Sequence, residues 1–124
     1  MRFNHLTLSV TDVPANRAFF ETYFGLRCVV DRGEALALLT DEAGFVLSLI
    51  HFPKVPVLDY PDHPESFHVG FLQDSPDRVD EIHARLVAGG VAADPPRRYH
   101  GAWTFYFRAP GGFQVEVGHQ SFPD

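Results

Sequence analysis

Glu116 stands in the middle of an otherwise apolar run, GFQVEVGH, from Gly112 to His119. Read as a strand, the run turns Gln114, Glu116 and Gly118 to one side and Phe113, Val115 and Val117 to the other. A carboxylate that faces a cleft or barrel interior is costly unless something neutralises it. Earlier in the chain GFVLSLIH, from Gly44 to His51, opens with the same Gly-Phe and closes with the same His, and it puts Ser48 where Glu116 falls. Two histidines recur in the same fashion, His5 in NHLTLSV and His68 in FHVGFL. Imidazole and carboxylate are the side chains best suited to proton transfer near neutral pH and to holding a cation.

The elements that must position these residues come in a repeated order. RFNHLTLSV alternates like a strand, with His5, Thr7 and Ser9 on one face and Leu6, Leu8 and Val10 on the other. TDVPANRAFFETYFGL reads as a helix capped by Asp12, with Pro14 in its first turn and Gly25 at its end. RCVVDR, ALALLTD and FVLSLIHF read as three further strands, separated by turns at Arg32-Gly33 and at Asp41 to Gly44. PKVPVLDYPDHPE, with four prolines, reads as a stiff connector.

The order then restarts. SFHVGFL is a strand with His68 and Gly70 on one face. SPDRVDEIHARLVAGG is a helix capped by Ser75, opened by Pro76 and stopped by Gly89-Gly90, with Val79, Ile82, Leu86 and Val87 as its apolar stripe. VAADPPRRYH is a broken strand and loop. AWTFYFRA and GFQVEVGH close the chain around a turn at Pro110-Gly111. The pattern is βαβββ written twice. His5 and His68 are 63 residues apart, and Ser48 and Glu116 are 68 apart, a difference that one loop insertion absorbs. The expected fold is α+β: two βαβββ modules forming a cavity-enclosing mixed sheet, with His5, His68 and Glu116 converging from three strands. One domain of residues 1–124 is expected, with module one at about 1–51, a linker at about 52–65 and module two at about 66–124.

With these motifs the chain resembles the vicinal-oxygen-chelate superfamily, which contains glyoxalase I, fosfomycin-resistance thiol transferases, extradiol dioxygenases and bleomycin-resistance binding proteins. NHLTLSVTDVPANRAFFETYFGL is similar to the family's opening strand and helix, FHVGF to the strand that opens its second half, and FYFRAPGGFQVEVGH to its closing hairpin. The resemblance implies metal ligands at His5, His68 and Glu116, with Ser48 at the fourth position, a carboxylate in glyoxalase I. Two imidazoles and one carboxylate suit a divalent ion (Fe, Mn, Zn or Ni), one per site, and leave open positions for a chelating substrate. Singly, His5 or His68 could be an ordinary histidine, and Glu116 could pair with Arg108. At matching places of a doubled motif they are better explained as a set. His51, His63, His83, His100 and His119 are expected at the surface.

Tyr106 and Thr7 are the candidate catalytic residues, and Ser48 and Tyr106 the candidate substrate contacts. Thr104, Tyr106 and Arg108 share a face by alternation, and a phenol beside a metal can donate to a ligand oxygen. Thr7 follows His5 on the same strand face. The resemblance ranks the reactions. An extradiol-dioxygenase-like enzyme acting on a bidentate oxygen substrate matches the triad and closing hairpin best. A fosfomycin-type thiol transferase fits the ligands, but Lys54 is the chain's one lysine and a phosphonate needs several cations. Glyoxalase I chemistry ranks last, because a serine cannot replace its metal-bound base. A non-catalytic drug-binding protein of bleomycin-resistance type is the alternative of another class.

Composition bounds the rest. Apolar residues make up 45% of 124, enough for a core. A net charge of −6 and a pI near 5.5 argue against nucleic acid as a partner. The single Cys28 fits a reducing compartment, and no stretch is long enough to span a membrane, so a cytoplasmic protein with a small-molecule substrate is expected. In short members of the family, module one of one chain faces module two of its partner. The resemblance therefore implies a symmetric homodimer, with His5 supplied by one subunit and His68 and Glu116 by the other; closure of both modules within one chain, as in longer relatives, is the alternative.

Overall fold

The structure, a computed structural model, describes residues 1–51, 66–110 and 112–120. The expected connector at about 52–65 lies outside the described residues, with His63 in it, and so does Gly111 of the last expected turn. The chain divides into two compact units, Met1–His63 with Pro110–Gly112, and Pro64–Ala109 with Phe113–Asp124.

Each unit is a four-stranded mixed sheet with one helix. In the first, β1 (His5–Ser9), α1 (Val13–Phe24), β2 (Arg27–Asp31), β3 (Leu36–Thr40) and β4 (Val46–Ile50) give the sheet order β1-β4-β3-β2. In the second, β5 (His68–Leu72), α2 (Pro76–Ala88), β6 (Arg97–Tyr99), β7 (Ala102–Arg108) and β8 (Gln114–Gln120) give the order β5-β8-β7-β6. The doubled βαβββ order and the α+β class are as the sequence led us to expect. In each unit the first strand lies parallel to the last, which its helical crossover allows, and the other pairs are antiparallel.

Local chemistry explains the helices. Asp12 accepts from the Ala15 N–H at 2.9 Å, Pro14 sits in the first turn, and Gly25 ends α1 at φ 65°, a conformation that costs a glycine little. Ser75 caps α2 by accepting from the Arg78 N–H, and Pro76 opens it. Val79, Ile82 and Leu86 are buried against the sheet, whereas Val87, expected in that stripe, is exposed. The hundred-degree step per residue carries position 87 off the buried face.

The core of each unit lies between its helix and its sheet. Val10, Val13, Phe20, Leu39 and Leu49 are fully buried in the first, and Val79, Leu86, Phe105, Phe113, Val115 and Val117 in the second. Each such side chain is worth about 1.5–3 kcal/mol in transfer from water. The helix covers one face of each sheet, so the alternate residues, those of the Glu116 set, stand on the other. Among the described residues no helix is long and apolar enough to cross a membrane.

Candidate metal and substrate site

Strand register brings the second unit's candidates together. Glu116 lies in β8 between Gly70 of β5 on one side and Tyr106 of β7 on the other. Gly70 has no side chain, and an added β-carbon there would come within 4.0 Å of Glu116 Oε1. His68, two residues before Gly70 on the same strand face, therefore reaches the carboxylate, with Nε2 3.7 Å from Oε1. That is too long for a hydrogen bond, so the two donor atoms face a common space without satisfying each other. His68 Nδ1 lies 3.2 Å from the Ser66 carbonyl oxygen. A carbonyl only accepts, so Nδ1 carries a proton, and in the neutral ring the Nε2 lone pair is the one turned toward Glu116. This is the tautomer a metal-binding imidazole requires, fixed by a backbone acceptor. By the same reasoning the neutral ring of His5, whose Nδ1 lies 2.8 Å from Asn4 Oδ1, would present an Nε2 lone pair. The donor types and tautomers fit a divalent ion.

The other carboxylate oxygen, Oε2, accepts from Thr104 Oγ1 at 3.0 Å, and the same hydroxyl lies 3.0 Å from the Val117 carbonyl. Thr104 is completely buried. Its place depends on Gly118 across the strand pair, where an added β-carbon would stand 2.9 Å from Oγ1.

Tyr106 forms the next wall. Its ring meets the His68 imidazole edge-on with centroids 5.7 Å apart. Burial first, then hydrogen bonding to Glu116 and the charge of that carboxylate, push the phenol up to about 12. The phenol is thus a proton donor throughout the physiological range. Tyr99 stands beyond it, with ring centroids 6.3 Å apart at 86°, and the Arg97 guanidinium lies 4.5 Å from the Tyr99 ring centroid. Arg97 pairs in register with Thr104, so it shares the Tyr106 face. Sequence reading missed Arg97 and Tyr99. The signal was the alternation of RRYH opposite AWTFYF, but a three-residue strand after two prolines does not declare its register. His100 is exposed, as expected, at φ 51° in the tight turn before β7, with its ring 4.0 Å from that of Tyr99.

The first unit carries the matching positions with different side chains. Ser48 of β4 lies between Thr7 of β1 and Leu38 of β3, as Glu116 lies between Gly70 and Tyr106. Ser48 is buried and Thr7 exposed. His5 precedes Thr7 by two residues, as His68 precedes Gly70. Among the described residues no three His, Cys, Asp or Glu side chains form a group that could hold a metal. The second unit gathers His68, Glu116 and Tyr106, and His5, Thr7 and Ser48 belong to the first.

The surface expectation is corrected for three histidines. His51 and His119 are not exposed but half-buried, each donating from Nδ1 to the backbone just after its unit's first strand: His51 to the Val10 carbonyl at 2.9 Å and His119 to the Gln73 carbonyl at 3.0 Å. They tie last strand to first, a role the repeat hid because it looks like a surface tail. His83 is half-buried too, edge-on to Phe105 at 5.1 Å, because it flanks the apolar stripe of α2. A hollow of about 330 Å³ beside α1 is lined by Arg17, Glu21 and Asp31, but these charges pair with one another at 2.9 and 3.1 Å, which leaves no free chemistry there.

Comparison with known proteins fits the fold and the repeat. The Glyoxalase/Bleomycin resistance protein/Dioxygenase superfamily model matches residues 2–117. A possible glyoxalase from Bacillus cereus is 46% identical, with a TM-score of 0.83 over 95% of this chain and 98% of that one. A lactoylglutathione lyase from Agrobacterium tumefaciens is 25% identical, with a TM-score of 0.76 over 95% and 92%. A fosfomycin resistance protein, FosX, from Listeria monocytogenes shares the fold at 23% identity, with a TM-score of 0.79 over 98% and 92%. No curated protein matches the chain.

Proposed function

The chain belongs to the Glyoxalase/Bleomycin resistance protein/Dioxygenase superfamily, and from that premise we propose that it is a metal-dependent enzyme acting on a small bidentate oxygen substrate, with chemistry nearest to that of extradiol dioxygenases. The observation that carries this reading is the facing pair of His68 Nε2 and Glu116 Oε1, 3.7 Å apart, beside a phenol that stays protonated. His5, His68 and Glu116 would hold one divalent ion. When bound, such an ion supplies Lewis-acid polarisation and, if redox-active, access to oxygen chemistry.

The remaining work falls to side chains of this protein. Glu116 contributes the anionic ligand, and Thr104 holds one of its oxygens so that the other points toward His68. The Ser66 carbonyl fixes the His68 tautomer. Tyr106 stands directly across from Glu116 and can hold or deliver a proton at a substrate oxygen. Ser48 and Thr7 offer hydroxyls at the matching places of the first unit and serve as hydrogen-bonding contacts. Ser48 has no basic atom to accept a substrate proton, which keeps glyoxalase I chemistry last despite the likeness to the Bacillus cereus protein.

The assembly we propose is a symmetric homodimer in which His5 of one subunit completes the set made by His68 and Glu116 of the other. Metal analysis of anaerobically purified protein, followed by assays of catechol cleavage, methylglyoxal–glutathione adduct isomerisation and thiol addition to fosfomycin, tests the function. Stoichiometric metal with catechol cleavage is expected. Tight binding of an aromatic cation by a protein that takes up no metal would favour drug sequestration instead.

A further inference from the structure

We propose that the site takes an aromatic substrate bearing an anionic group, such as a carboxylate, and that Arg97 binds that group. The inference rests on the reading above for the other end of the substrate, at His68 and Glu116. The second unit presents a row across one sheet face. The His68–Glu116 pair lies beside Tyr106, which is 5.7 Å from His68; Tyr99 is 6.3 Å from Tyr106, and Arg97, which falls between these two tyrosines in register, has its guanidinium 4.5 Å from the Tyr99 centroid. Two strand spacings, about 10 Å, separate β6 from β8, and Arg97, opposite Thr104 and so level with Gly118, is offset from Glu116 by two residues along the strand, which makes a backbone diagonal of about 12 Å that one substituted ring and the reach of the flanking side chains cover.

Three features set Arg97 apart from an ordinary surface cation. None of the ion pairs among the described residues involves it, although the chain carries a net charge of −6. Its register partner is Thr104, which holds Glu116, so it belongs to the face that carries the donors. Its guanidinium carbon lies over the Tyr99 ring, a cation–π contact that holds the head group on this face while its N–H groups remain able to bind a carboxylate. The rings between offer edge-on and face-on contacts suited to a flat apolar body.

Calorimetric titration of full-length protein, metal-loaded and chelator-treated, separates the two ends with three probes: catechol, benzoate and 3,4-dihydroxybenzoate. Wild type is expected to bind 3,4-dihydroxybenzoate at least ten-fold more tightly than catechol. Arg97→Met should erase that preference while leaving catechol unchanged, and Arg97→Lys should restore part of it. Benzoate should bind chelator-treated wild type with a dependence on Arg97. Circular dichroism and the melting temperature check the fold, with Arg97→Gln as a second neutral variant. A preference that survives in both neutral variants, or failure of wild type to bind either anionic probe, overturns the inference. Catechol affinity that is the same with and without metal, alongside Arg97-dependent benzoate binding, sinks the metal reading and leaves this one standing.

Discussion

At the scale of the residue, Glu116 poses a question of charge, and its neighbours define the answer. It has the Thr104 hydroxyl on one oxygen, His68 Nε2 3.7 Å from the other, and the Tyr106 phenol as a further hydrogen-bonding neighbour. Hydroxyls leave its charge in place, and a divalent ion held with a neutral His68 would cancel it. Glu116→Ala should lose most of the bound metal, since it removes a ligand and the charge compensation together, and His68→Ala should do the same. Unchanged stoichiometry in both variants would count decisively against the proposed ligand set. Tyr106→Phe should keep the metal yet lower kcat by about 100-fold or more if the phenol moves a proton in the slow step. Alkaline stability checks its environment. The folded phenol loses its proton at about 12 against an ordinary value of 10.0, so its neutral form is favoured by folding. That contribution is intact below pH 10 and is lost as pH rises from about 10 toward 12. Metal-free Tyr106→Phe should therefore lose melting temperature less steeply over that window than wild type.

At the scale of the element, the strand pair β7–β8 is built around one close fit. Thr104 points its hydroxyl at Glu116 because Gly118 opposite leaves the room. Gly118→Ala places a β-carbon 2.9 Å from that hydroxyl and should cost about 1–3 kcal/mol in denaturant unfolding. Thr104→Val keeps the shape and removes the donor to Glu116, so metal affinity should fall roughly 10–100-fold, with Thr104→Ser largely restoring it. Metal affinity in Thr104→Val equal to wild type would show that Glu116 needs no such support. The helices were legible from their ends: Asp12, Pro14 and Gly25 for α1, and Ser75 and Pro76 for α2, all mark features that the structure reproduces. β6 was not. Proline cannot donate to a ladder, and only three residues pair, so nothing local declared which side Arg97 and Tyr99 would take.

At the scale of the whole molecule, the repeat divides labour unequally. Each unit offers a histidine on its first strand, and only the second adds a carboxylate and a phenol, where the first has Ser48 and Leu38. If sites are shared between subunits, mixing His5→Ala with Glu116→Ala protein under exchange conditions puts both lesions into one cavity of the heterodimer and leaves the other intact. Half of the metal sites in that heterodimer should then recover, as read by metal analysis of the tagged mixed species. Sites closed within each chain allow no recovery in any mixture, and that result would retire the shared-site model.

What the sequence determined alone was the part written in short-range chemistry. Alternation with period two, caps, prolines and the recurrence of Gly-Phe and His set the βαβββ order twice over, and placed His5 with His68 and Ser48 with Glu116. Those signals survive because a strand has two faces and a helix end has few good caps. What only tertiary structure decided was cross-strand register. Register put Gly70 beside Glu116 so that His68 could reach it, and set Thr104 on the carboxylate by way of Gly118. It aligned Arg97, Tyr99 and Tyr106 into one wall, and turned His51 and His119 inward onto backbone carbonyls more than forty residues earlier in the chain. No local pattern encodes these choices. Each depends on which residues meet across strands far apart in sequence, and a slip of one position would exchange the two faces of the sheet.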